Sequence, residues 1–127
     1  MKAITSALLC GALLLAMAPA ADAAALESSR LTLTVNAQEE GSATSLVLTC
    51  NPDGGAHPRP ADACELLRTN DGDLNLLSAS DDTACMAMYD PHVATATGVW
   101  QGRHVFYQRT FTNRCWMTAT TGSIFSF

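Results

Sequence analysis

The clearest pattern in the chain is alternation. Leu31-Thr32-Leu33-Thr34-Val35 sets apolar and hydroxylated side chains at period two, which predicts a strand with one buried face. Ser45-Leu46-Val47-Leu48-Thr49-Cys50 predicts a second strand, and the polar turn Gln38-Glu39-Glu40-Gly41-Ser42 joins the two as a hairpin. From Asn51 to Pro60 three prolines and two glycines exclude both a helix and a central strand, so this stretch is read as a loop. Asp62 or a near neighbour is expected to cap a helix through Ala63–Arg68. That helix should stop at Asn70-Asp71-Gly72-Asp73, where Gly72 suits a left-handed conformation. Leu74 to Leu77 reads as a short helical turn. Val93 to Thr97 is strand-like; beyond Gly98, Val99-Trp100-Gln101-Gly102-Arg103 leads into the strongly strand-like His104–Phe111. Ser123-Ile124-Phe125-Ser126-Phe127 alternates again and is read as a last strand. Five strands with one or two helices, the strands in runs, favour an α+β fold with an antiparallel sheet.

The first residues follow a different rule. Lys2 precedes an apolar run from Ala7 to Met17, and small residues follow through Ala25. A basic start, an apolar middle and a small-residue exit describe a secretory leader, with Ala21-Asp22-Ala23 fitting the cleavage rule. The apolar run is shorter than the roughly 20 residues a bilayer needs. Residues 1–23 are therefore expected to be a signal peptide, and 24–127 one exported domain with no membrane contact in its mature form. A domain of that size buries a modest core, and small exported domains often add disulfides. Without Cys10, which sits in the leader, four cysteines remain: Cys50, Cys64, Cys85 and Cys115. Three pairings are possible and the sequence does not choose among them, although pairing of neighbours is the simplest.

Charge changes the picture little. The net charge is −5, and Arg30, Arg59, Arg68, Arg103, Arg109 and Arg114 are scattered rather than clustered. The absence of a basic patch interleaved with aromatics argues against nucleic acid as a partner. No candidate catalytic constellation emerges. His57, His92 and His104 have no metal-helix spacing, no cysteine pair is C-x-x-C, and no serine lies in a G-x-S-x-G elbow. The acidic pairs Asp71/Asp73 and Asp81/Asp82 lie in turns, where aspartate is common for backbone reasons. No metal or cofactor is expected, and the chain is not expected to be an enzyme. One segment stands out: Ala84-Cys85-Met86-Ala87-Met88-Tyr89 puts apolar side chains beside a cysteine, between Asp81-Asp82 and Asp90-Pro91. It is either a buried connector or an exposed loop offered to a partner.

Gly98-Val99-Trp100-Gln101-Gly102-Arg103, followed by Arg109-Thr110-Phe111 and Asn113-x-Cys115, resembles the C-terminal part of the subtilisin inhibitor-like family, typified by secreted Streptomyces inhibitors. Leu31–Val35, Leu48-Thr49-Cys50, Gly55-Ala56-His57-Pro58, Cys64, Gly72-Asp73-Leu74-Asn75, Cys85, Tyr89-Asp90-Pro91 and Ile124–Phe127 have counterparts in the same order. The resemblance implies a five-stranded antiparallel sheet with two helices on one face, the disulfides Cys50–Cys64 and Cys85–Cys115, and a homodimer. It implies a secreted inhibitor of subtilisin-like serine proteases. The reactive bond would be Ala87–Met88, with Ala84, Cys85, Met86 and Tyr89 as further protease contacts and Asn113 supporting the loop from behind. Ala87 would then set specificity: subtilisin-like enzymes and small-residue serine proteases inhibited, trypsin not. The chain departs from the family at Met86, where proline is frequent, at Ala87, where a larger residue is frequent, and in the lead Leu26–Arg30. Rival readings are a family member directed at a metalloprotease or a transglutaminase-processing enzyme, and a secreted structural domain without a protease target.

Overall fold

A computed structural model describes residues 28–127, together with Leu15 and Ala16. The expected leader over 1–23 otherwise lies outside the described residues, as does Cys10. Five strands form one antiparallel sheet: β1 (Ser29–Ala37), β2 (Ser42–Cys50), β3 (Gly54–Gly55), β4 (His92–Trp100) and β5 (Arg103–Phe111). Their spatial order is β3-β2-β1-β4-β5. Among the described residues there are also two helices, α1 (Pro60–Thr69) and α2 (Arg114–Thr121), and a 3₁₀ turn (Leu74–Leu76).

Alternation in β1 has the consequence its pattern predicts. Ser29, Leu31, Leu33, Val35 and Ala37 are buried, and Arg30, Thr32 and Asn36 are exposed. Register carries this division across the sheet, because Leu33 faces Leu46 on one side and Ala96 on the other. The buried face packs against side chains from both helices, Ala63, Cys64 and Leu67 from α1 and Met117 from α2, closed by Ile124 and Phe125. Among the described residues no helix covers the opposite face, which carries threonines at 32, 34, 95 and 97, with Val47, Val93, Val99 and Phe106 beside them.

β4 runs unbroken through Gly98, where the sequence pattern suggested an interruption. A Cβ at Gly98 would stand 2.1 Å from the Arg30 carbonyl oxygen, and its φ is +146°, so only glycine lets β1 and β4 pair closely here. A two-residue loop, Gln101-Gly102, then closes the β4–β5 hairpin between the paired residues Trp100 and Arg103. Both loop residues have positive φ, the signature of a type I′ turn.

Two expectations are corrected. The terminal Ser123–Phe127 is not a strand: it is a turn whose consecutive residues Ile124 and Phe125 are both fully buried, which no half-exposed strand permits. The fifth strand is instead Gly54–Gly55, inside the stretch read as a loop, pairing with Leu48 and Thr49 at the sheet edge. Helix α1 also begins earlier than expected. Pro60 takes its first turn, where a missing N–H costs nothing, and Asp62 lies inside that turn and ion-pairs with Arg59 at 2.8 Å rather than capping. At its far end Gly72 donates to the Leu67 carbonyl at 2.8 Å with φ +74°, the left-handed exit the sequence indicated.

Both disulfides join the framework. Cys50–Cys64 ties the end of β2 to α1, and Cys85–Cys115 ties the segment before β4 to the first turn of α2. Asp53 lies near the first bridge, where Arg68 ion-pairs with it.

Candidate functional site: a braced loop

Between the 3₁₀ turn and β4 the chain has no regular structure. Leu77 is buried at one end and Pro91 and His92 at the other, while most residues between them are exposed. Met86, Met88 and Tyr89 stand 77%, 61% and 74% exposed, and Ala87 is exposed as well. The segment from Ala84 to Tyr89 is therefore a displayed loop and not a buried connector. Three apolar side chains held in water are an unfavourable arrangement for a free monomer, and such arrangements mark surfaces meant to be covered.

The loop is held from beneath by a short list of groups. Cys85 is bridged to Cys115. The Asn113 amide nitrogen donates to the Met86 carbonyl at 2.9 Å and to the Met88 carbonyl at 2.8 Å. The Asp90 backbone N–H donates to the Thr112 carbonyl at 2.9 Å, and that of Gln38 to the Pro91 carbonyl at 3.0 Å. On the other flank the Thr83 N–H donates to the Ser80 carbonyl at 3.1 Å in a small turn. Ala84, Met86, Met88 and Asp90 line one shallow cavity against Asn113, Arg114 and Cys115. That period of two is the signature of an extended backbone. Ala87 lies between the two carbonyls that Asn113 grips.

Asn113 owes its position to helix formation. It is the N-cap of α2, with extended φ and ψ, and its side-chain oxygen accepts from the Trp116 N–H at 3.1 Å. With the oxygen committed to the helix, the amide nitrogen must point at the loop. Its two hydrogens match the two carbonyls, and the side chain is nearly buried. One residue thus starts a helix and braces a loop.

Ala84, Cys85, Met86, Ala87, Met88 and Tyr89 come together in the displayed loop, with Asn113 directly behind it. Asp90, Thr112 and Arg114 were not singled out. Thr112 acts through its backbone carbonyl, for which side-chain identity gives no signal. His57 and His92 are structural, and His104 is exposed on β5. His57 is buried, its Nδ1 accepting from the Arg59 N–H at 2.9 Å and its Nε2 lying 3.0 Å from the Ile124 carbonyl. His92 is the buried first residue of β4 and bonds the Asp90 carbonyl at 2.7 Å.

A sheet backed by two helices, bridged twice and displaying a rigidly supported extended loop, defines a loop-presenting scaffold. Comparison with known proteins gives it a family. The profile described as "Subtilisin inhibitor-like" matches residues 27–113. A trypsin inhibitor of Streptomyces longisporus is 41% identical over 98% of this chain and 92% of its own length. A subtilase-type protease inhibitor of Streptomyces coelicolor is 39% identical over the same shares of each chain. Streptomyces caespitosus sermetstatin, solved in complex with Bacillus licheniformis subtilisin, superposes with a TM-score of 0.67 at 31% identity, covering 79% of this chain and 99% of that one. The chain belongs to the subtilisin inhibitor-like family.

Proposed function

We propose that this protein is a secreted inhibitor of subtilisin-like serine proteases that binds in the manner of a substrate, with Ala87–Met88 as the reactive bond. The observation that carries the reading is the double hydrogen bond from Asn113 to the carbonyls of Met86 and Met88, beside the Cys85–Cys115 bridge. The relative solved with subtilisin supports the choice of target class.

The mechanism follows from what holds each side of that bond. A flexible peptide loses conformational entropy when it is threaded through a protease cleft; a loop already held extended loses little, and its affinity gains accordingly. Ala87 enters the primary pocket, Ala84, Cys85 and Met86 lie before it, and Met88 and Tyr89 lie on the leaving side. If the enzyme cuts the Ala87–Met88 bond, neither new end is free. The Ala87 side is tethered through Cys85 and the Met86 carbonyl; the Met88 side is tethered through its own carbonyl and Asp90. The amine stays beside the acyl group, so religation outpaces release. The chain inhibits and performs no catalysis of its own.

Export rests on the leader pattern of residues 1–23 and on the two disulfides, which belong to oxidising compartments. Cleavage after Ala23 leaves a mature domain of residues 24–127. The uncovered sheet face, with exposed Phe106 beside Thr97 and three half-buried valines, supports a homodimer that leaves both loops free. The decisive experiment is a titration of subtilisin with the purified mature protein. Tight inhibition at one loop per enzyme is expected, and undiminished activity with excess protein would overturn the reading.

A further inference from the structure

The described chain contains three methionines, and their surroundings differ sharply. Met117 is 0% exposed in the core under the sheet, whereas Met86 and Met88 are 77% and 61% exposed on either side of Ala87. The thioether of methionine is oxidised according to its access to solvent. The four cysteines of the described chain are already paired in disulfides, so no thiol competes for oxidant.

We infer that Met86 and Met88 form a paired oxidation site, at which a hydroperoxide converts both thioethers of the free inhibitor to sulfoxides and thereby weakens its hold on the protease. This rests on the inhibitor reading given above. At each residue a sulfur lone pair attacks the peroxide oxygen, the O–O bond breaks and an S–O bond forms. The sulfur is oxidised by two electrons, and hydrogen peroxide leaves as water after proton transfer. The product carries a polar, chiral sulfoxide where a flexible apolar group stood.

The location gives the reaction its consequence. Asn113 holds both residues by their carbonyls, and the bridge holds Cys85, so oxidation of the side chains leaves the loop backbone in place. What changes is the surface presented to the enzyme. Binding strips water from the residues flanking the reactive bond, and a sulfoxide oxygen desolvated there without a donor weakens the complex. Methionine sulfoxide reductases restore the thioether, so the change is reversible.

The test uses the mature protein and dilute hydrogen peroxide. Peptide mass mapping should find one oxygen on each of Met86 and Met88 while Met117 is untouched and circular dichroism is unchanged. The inhibition constant of that material against subtilisin should rise at least tenfold and return after treatment with the reductases. In a Met86→Leu, Met88→Leu double variant, peroxide should leave the inhibition constant where it stood before treatment. Oxidation of Met117 as fast as the loop pair would overturn the site, and this map is read without any protease. A doubly oxidised loop that inhibits as tightly as untreated protein would overturn the consequence for binding. Failure of the untreated protein to inhibit would instead overturn the inhibitor reading, and the loss of binding that depends on it.

Discussion

The Asn113 amide nitrogen lies 2.8 Å from the Met88 carbonyl, while the oxygen of the same amide caps helix α2. The two halves of the amide can be separated by substitution. Asn113→Asp keeps an acceptor for the Trp116 N–H but replaces the donor to the loop with an oxygen that faces two carbonyls. Fold stability should fall only modestly, since aspartate caps as well as asparagine. Binding of subtilisin should weaken strongly, and the protein should be cut at Ala87–Met88 with turnover. Asn113→Ala loses the cap as well, at a further cost of about 0.5–2 kcal/mol. Thermal unfolding beside inhibition constants for the two variants checks the separation.

Ala87 is expected to govern which enzymes are bound. Trypsin's pocket carries a carboxylate that needs a basic partner, and alanine leaves it unpaired. Ala87→Lys should therefore create trypsin inhibition. Ala87→Met should tighten subtilisin binding by roughly 1–3 kcal/mol, the usual scale for filling a hydrophobic pocket. Met88→Ala, on the leaving side, should matter less. Inhibition constants against both enzymes measure this; a folded lysine variant that leaves trypsin active would move the reactive bond elsewhere in Ala84–Tyr89.

Gly72 packs against the Trp100 indole. A Cβ there would lie 2.4 Å from two ring carbons, and φ is +74°. Gly72→Ala should cost about 2–4 kcal/mol, combining left-handed strain with overpacking. Because Gly72 is not among the groups that brace the loop, the folded fraction should still inhibit normally. Urea unfolding and an active-site titration together test both parts.

Tyr107 buries its hydroxyl with no hydrogen-bond partner among the described residues, and burial raises its pKa above the ordinary value near 10, partly offset by the Arg109 guanidinium. A raised folded-state pKa means that the folded protein keeps a proton which the unfolded chain gives up. Stability from this group is thus complete below pH 10 and declines as pH rises through the folded pKa. Tyr107→Phe should be at least as stable at neutral pH, since it removes an unsatisfied polar atom. It should also lose less stability above pH 10. Denaturant midpoints from pH 7 to pH 11 would show the two curves diverging.

The residue pattern made β1, β2, the β4–β5 hairpin and α1 legible because each has a single strong period or a proline and glycine boundary. Helix α2 was not read from its residues. Cys115, Trp116, Thr118, Thr120 and Thr121 are weak helix formers, and their β-branched content imitates a strand. The usable signal was Asn113 standing before Met117 and Thr121, which share a buried face; Thr121 further donates to the Met117 carbonyl at 2.7 Å. The tail misled for a similar reason. Ile124 and Phe125 fill the core from a turn, with Phe125 stacked on Tyr107 and Phe127 edge-on to His57. Such contacts join residues distant in sequence, and no local period encodes them. The loop residues became legible through the family resemblance. Their composition alone left burial and exposure equally open, because what lifts Met86 and Met88 into solvent is an asparagine 25 to 27 residues further on.

None of the groups that fix the loop is the side chain of Ala87. The grip is on main-chain carbonyls and on a neighbouring cystine, so position 87 is mechanically idle in the isolated domain. With Ala87 as the proposed specificity residue, a change of one codon would retarget the molecule with no repair of the core to follow. Scaffold and address are written in separate residues, and selection on one leaves the other undisturbed.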